Sequence, residues 1–392
     1  MSMNEAPAEI VVIGGGIMGT SIAWNLARRG AGRIVLLERA TIGAGASGRT
    51  GALLRRHYSN RPEAMLAQKS WEIYRNWREI VGGDCGFVPH GLIVTVDTSA
   101  GHEANIERVH QNVALQRSLG IDARVISPAE LGELQPFTST DDIAAAAYES
   151  NSGYVDAIAA TRSMAQAAIR AGVEIHEHCG VTAIECQGDR ISAVHTINGR
   201  IPTETVISAI GPWTPTMLAP LGITLPITAL RVQVAIIQRP LDLEPDHFVY
   251  VDTAAGMFCR PWGPGRSLVG VGGGDQHNAV DPDNFEERND PGYAAQAISA
   301  MARRLPAAAR STYLHGHAGL YDMTPDAHPI IGPAGLEGLY VACGFSGAGF
   351  KKGPAVGQCL AELALDGRST TVDLSPFTPA RFETDAWKRP WS

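Results

Sequence analysis

A chain of 392 residues, 45% hydrophobic and 18% charged, is long enough for a large core shared by two or three domains. A net charge of −8 with no long basic run argues against a nucleic-acid surface, and no apolar run reaches the ~18 residues that a membrane span needs. The N-terminus shows no signal peptide and the six cysteines show no CxxC spacing, so reduced thiols in a soluble, cytoplasmic protein are expected.

Residues 9–38 read as strand, glycine turn, helix and strand. Ile10 to Ile13 is a continuous apolar run, as a strand buried on both faces requires. Gly14, Gly16 and Gly19 follow as GxGxxG: the first permits a tight turn, the second lets backbone approach a pyrophosphate, and the third lets helix pack on strand. Ile22 and Leu26 give the helix its inward face, and the second strand, Arg33 to Leu37, closes on Glu38, placed to accept a ribose hydroxyl. The order of parts predicts a bound dinucleotide. NAD and FAD share this unit, but a second small-residue segment, with Gly45, Ala46, Ser47, Gly48 and Gly51, suits the second close approach that the longer FAD needs.

Further along, the spacing predicts a helix over 70–81, a strand over 91–97, a helix over 103–119, and a short helix capped by Ser127. A long Ala-rich helix is expected within 152–171, and strands near 173–175, 191–196 and 206–210. Strand-like runs broken by Pro and Gly fill 225–275, as in an antiparallel sheet, and a helix covers 292–305. The strand at 338–344 enters a glycine turn that opens a final helix. The fold expected is α/β: a discontinuous Rossmann-like FAD-binding domain (1–90, 150–215 and 320–372) with a second, α+β substrate domain (91–149 and 216–319) built on an antiparallel sheet. Residues 373–392 read as an extended tail laid over the surface. The pairs His176/His178 and His315/His317 are not read as metal ligands.

The motifs VVIGGGIMGTSIAWNLARRG, GASGRTGALLRRHY, VISAIGPW, and MTPDAHPIIG followed by GLYVACGFSGAGFKKGPAVG resemble the D-amino-acid-oxidase-like flavoprotein family, nearest its sarcosine oxidase and dimethylglycine dehydrogenase branch. The resemblance covers about residues 10–370. It implies that Gly14, Gly16, Ile17, Met18, Gly19, Glu38, Arg39, Gly45, Ala46 and Ser47 surround the FAD adenosine and diphosphate. Arg49, Gly51 and Ala52 continue that wall, Gly180 and Val181 meet the adenine, and Gly211 and Trp213 pack beside the cofactor. Gly344, Ser346, Gly347, Gly349, Phe350 and Lys351 would lie along the pyrimidine edge of the flavin, where a helix N-terminus favours the negative charge of the reduced ring. Relatives that bind flavin covalently use a cysteine where this chain has Gly319 or a histidine within the segment of Gly48, Arg49 and Thr50, so non-covalent FAD is expected.

The same resemblance implies a small amino-acid-like substrate, one whose nitrogen carries an alkyl group or lies in a ring, oxidised with O2 or an electron-transfer acceptor. A carboxylate needs cations, and Lys351 and Arg55 are the candidates, with Arg56 able to exchange with Arg55 through a one-residue gap and Arg260 as a further group. Tyr321 stands where D-amino-acid and glycine oxidases carry arginine, which favours the sarcosine-like branch. Leu268 falls where sarcosine oxidases carry an oxygen-activating lysine, which favours a dehydrogenase. Two other readings remain open: a flavin dehydrogenase of a 2-hydroxy acid, and the flavin subunit of a multi-subunit amino acid dehydrogenase that needs a partner.

Overall fold

The computed structural model describes residues 6–99, 101–243, 246–272 and 279–388. Its first sheet has six strands in the order Ile330–Pro333, Leu339–Cys343, Val206–Ser208, Ile10–Ile13, Ile34–Leu37 and Glu174–His176. All neighbours are parallel except the edge pair Ile330–Pro333 and Leu339–Cys343. Because side chains alternate along a strand, Ile10 and Val12 face one layer while Val11 and Ile13 face the other. The first layer is helical: Ile17–Arg28, Ala157–Arg170 and Gly353–Asp366 bury Ile22, Leu26, Met164, Val356 and Leu360 against it. The second is a three-stranded antiparallel sheet (Val181–Gln187, Arg190–Thr196, Gly199–Pro202) that contributes Ile184, Ile191, Val194 and Ile201. Both faces of the parallel sheet are therefore dry, which accounts for the unbroken apolar strands.

The second sheet has eight strands, from Thr312–Met323 through Thr228–Gln238, Arg266–Val271, Met257–Pro261, Val249–Asp252, Leu92–Asp97 and Ile143–Glu149 to Ala123–Ile126. One face packs on the helix Tyr293–Arg304. Toward the opposite face, Val234, Ile236 and Leu268 form one apolar cluster, and Leu92, Val94 and Val249 form another with Leu53 of the chain that leaves the glycine unit.

One helix boundary differs from the sequence reading for a local reason. The helix expected over 70–81 begins at Arg61 and ends at Arg75, followed by a separate turn at Trp77–Ile80; Asn60 accepts from the Glu63 N–H and Pro62 sits in the first turn. The Ala-rich helix lies within 152–171 as expected, capped by Asp156 and spanning Ala157–Arg170. The C-terminal tail is not an extended strip: single 3-10 turns at Ser375–Phe377 and Pro379–Glu383 bury Phe377 completely and leave Arg381 8% exposed.

Candidate functional site

Between the two sheets lies a cavity of about 680 Å3. Its wall begins at the first glycine turn. Gly14 has φ +110, and a Cβ there would sit 2.5 Å from the Ala209 carbonyl oxygen; a Cβ on Gly19 would sit 1.9 Å from the Gly14 oxygen. Gly14 and Gly16 line the cavity, whereas Gly19 stands behind them as the helix–strand contact. Glu38 spans the turn, accepting from the Gly15 N–H at 2.7 Å and the Ala40 N–H at 2.8 Å. Ser47 Oγ accepts from the Ile17 N–H at 2.9 Å, so the second small-residue segment is held at the N-terminus of the first helix. A helix N-terminus facing a cavity is suited to a diphosphate.

The same wall includes Glu38, Arg39, Val181, Gly211 and Trp213, then Arg49, Gly319, Tyr321, Gly347, Gly349 and Phe350, together with Ile17, Met18, Gly45 and Ala46. These features fit an extended dinucleotide: a carboxylate beside the first glycine turn, a helix N-terminus, and a second glycine loop in the same wall. Gly51, Ala52, Gly344, Ser346 and Lys351, expected at the cofactor, do not form its wall. Ala52 and Ser346 instead carry positive φ (51 and 50), and Ser346 and Gly344 fix the loop by donating backbone N–H groups to Asp322, the latter at 2.7 Å. Asp322 does line the cavity and was not anticipated. Burial raises its carboxyl to about 6, the backbone bonds opposing.

The anchoring candidates separate. Arg56 is 2% exposed and belongs to the core, with Nε on Ser152 at 3.0 Å, Nη1 on Gln68 at 3.0 Å and Glu149 at 3.7 Å. Arg55 is half-buried, lies 4.8 Å over the Tyr58 ring, and its charge acts on both Tyr321 and Lys351. Arg55, Tyr321 and Lys351 are thus brought together, while Arg56 points into the core. Burial first, then Arg55 and Lys352, drive the Lys351 ammonium well below its ordinary pKa, with Glu63 opposing. Tyr321 is seated against the glycine loop, where a Cβ on Gly347 would come within 2.7 Å of its ring.

Arg260 is not part of this group. Its Nε donates to the Gly51 carbonyl and its Nη1 to the Pro261 carbonyl, and its guanidinium lies 4.4 Å from the centroids of both the Tyr154 and Trp262 rings. Burial lowers it to about 10, and the charges acting on it are Tyr154 and Asp156. It holds the chain at Gly51 in place. Leu268 lies near that point, 3.5 Å from a Cβ built on Gly51, within its apolar cluster.

Behind Lys351 sits an ion group that sequence reasoning missed. Lys352 is fully buried and pairs with Glu63, whose other oxygen meets His328 Nδ1 at 2.6 Å. Burial opposes ionisation of Glu63, but Lys352 and His328 outweigh it and hold the carboxyl far below its usual range. Asn60, Pro62 and Glu63 form a helix-start signal, so the sequence held a clue to this helix, though none to its partners.

A Rossmann-like sheet beside a mixed sheet, antiparallel except where Val249–Asp252 and Leu92–Asp97 pair in parallel, and a cavity of this construction fit a dinucleotide-dependent oxidoreductase. The chain belongs to the FAD dependent oxidoreductase (DAO) family, which matches residues 9–363. It is a flavoprotein enzyme with FAD as cofactor. It is 28% identical over 381 residues to mitochondrial sarcosine dehydrogenase of Mus musculus, covering 92% of this chain and 40% of that protein. It is 24% identical to sarcosine oxidase subunit beta of Rhodobacter capsulatus, covering 92% of this chain and 86% of that one. The L-proline dehydrogenase of P. horikoshii superposes with a TM-score of 0.87 at 27% identity, over 97% of this chain and 99% of that chain. Among the described residues no helix is long and apolar enough to cross a membrane.

Proposed function

We propose that this enzyme oxidises a small amino acid whose nitrogen is secondary or tertiary, an N-alkyl or cyclic amino acid. Bound FAD supplies the hydride acceptor. The observation that carries the reading is the grouping of Arg55 and Lys351 with Tyr321, where burial and the neighbouring Arg55 and Lys352 charges disfavour the Lys351 ammonium. A bound carboxylate supplies the opposite charge that favours that ammonium again, and it meets both side chains with charge-assisted bonds. Arg55 and Lys351 hold the carboxylate and thereby orient the C–H beside the nitrogen. The same cations disfavour a positive charge on the substrate amine, so the amine loses its proton more readily in the site than in water. His57 does not serve as the base in this scheme: it is 5% exposed and held between Gln116 and Asn112 at 3.0 Å each.

The names of the relatives support the substrate class, since sarcosine is an N-methyl amino acid and proline a cyclic one. The subunit relationship supports a partner subunit that carries electrons onward. The test is anaerobic loss of the long-wavelength flavin absorbance with a panel of N-methyl, cyclic and primary amino acids and 2-hydroxy acids. Bleaching by secondary amino acids is expected. Bleaching by 2-hydroxy acids alone would replace the amine reading with the alcohol one.

A further inference from the structure

The segment 279–291 belongs to the substrate domain but forms part of the cofactor cavity wall through Pro282, Asp283, Phe285 and Glu287. Both of its ends are tied to the edge of the eight-stranded sheet. At one end the Val280 N–H donates to the Ala229 carbonyl at 3.0 Å. At the other, the Ala318 N–H donates to the Glu287 carbonyl at 2.7 Å, Arg231 pairs with Asp290 at 2.9 Å, and Arg231 also donates to the Glu286 and Arg288 carbonyls. Asn289 is seated so tightly that a Cβ on Gly316 would come 1.8 Å from its side-chain oxygen.

The middle of the segment reaches across the cavity to the nucleotide domain. Asp283 pairs with Arg39 at 2.6 Å and accepts from the Trp213 indole N–H at 2.8 Å, while the Arg39 guanidinium lies 4.1 Å over the Trp213 ring. Glu287 pairs with Arg49 at 2.7 Å, and Arg49 lies 5.8 Å from the centre of the Phe285 ring. Arg39 and Arg49 rise from the two segments that form the dinucleotide cradle. Each has an acidic partner in the strap, Asp283 for Arg39 and Glu287 for Arg49.

We infer that this strap is a cofactor-retaining latch: FAD lies beneath it, and the Asp283–Arg39–Trp213 and Glu287–Arg49 contacts must open before FAD leaves. The inference rests on the FAD site alone and is independent of the substrate. Exposed ion pairs are individually weak, each worth roughly a 1.5- to 5-fold factor in an equilibrium. Asp283→Asn should therefore speed FAD release about 1.5- to 5-fold, and Asp283→Asn with Glu287→Gln about 2- to 25-fold. Raising salt to about 1 M shortens the screening length from about 8 to 3 Å and should speed release from the native protein, but hardly from the double variant.

The experiment follows flavin fluorescence after dilution of FAD-loaded protein, at low and high salt, for the native chain, Asp283→Asn, Glu287→Gln and the double variant. The thermal transitions of the flavin-free forms serve as a folding control. A double variant that releases FAD at the native rate with the native salt response overturns the latch and leaves the cofactor assignment intact. Protein that takes up no FAD at all overturns both.

Discussion

Glu63 is the residue whose replacement should cost this protein the most for the smallest change in shape. Its partner Lys352 has no exposed side-chain surface, and Glu63 itself has 4%. Glu63→Gln keeps the volume but leaves a buried ammonium facing a neutral amide, and breaking one side of a buried pair costs about 3–5 kcal/mol. Lys352→Met leaves Glu63 bonded to His328 at 2.6 Å and Asn60 at 2.8 Å, so it should cost less, about 1.5–3 kcal/mol. The double variant should cost less than Glu63→Gln alone, since no buried charge is then left without its counter-charge at this pair. The assay is urea unfolding of the flavin-free protein at neutral pH, because bound FAD would add its own stabilisation. Acid supplies a second measure. The folded-state pKa of Glu63 lies below its ordinary value of 4.5, so its contribution is complete above that value and is lost as pH falls through the folded pKa. Glu63→Gln should flatten that limb. A double variant that costs the sum of the two single ones would refute the coupling.

Lys351→Met should lower kcat/KM for the true substrate by ~1.5–3 kcal/mol, the scale of a charged hydrogen bond, while FAD content survives; unchanged kinetics would remove Lys351 from the anchor. Gly319 and Gly48 offer no nucleophile, so acid precipitation should release the yellow colour into the supernatant, and a coloured pellet would contradict non-covalent binding. Leu268 brings no charge to the apolar cluster with Val234 and Ile236, so superoxide-like charge finds no stabilising cation there and reduced enzyme should react slowly with O2. Stopped-flow reoxidation by air faster than by every quinone or dye would count against the dehydrogenase reading.

The parts of this fold that were legible in the sequence are those governed by local sterics and period. Gly14 and Gly19 are fixed by carbonyls within van der Waals distance, and the apolar run Ile10–Ile13 by burial on two faces. Ser127 caps its helix as expected, and Glu130 three residues on completes a capping box. The segment 279–291 was not legible, because its meaning lies in pairs such as Arg39 with Asp283, 244 residues apart in the chain. Arg260 shows the same limit from the other side. A lone arginine in an apolar strand suggests a ligand group, yet carbonyls and two aromatic rings can hold a guanidinium without any anion.

The tail extends the same logic to the anchor. Arg381 forks onto Asp326 at 2.8 and 3.2 Å and donates to the His328 carbonyl at 2.9 Å, so the turn Pro379–Glu383 grips the loop that follows Tyr321. His328 in turn meets Glu63, and Glu63 holds Lys352 next to Lys351. A cluster of cations repels itself, and at low dielectric that repulsion is strong enough to push side chains apart or strip a proton. Glu63 is the counter-charge that steadies Lys352 through a direct pair, whereas Arg55 is among the charges that disfavour the Lys351 ammonium. On the proposed reading, an anion-seeking site survives because Glu63 is held at the back of the cluster with Lys352, and the buried Arg381 clamp keeps the loop that bears His328 in register with it.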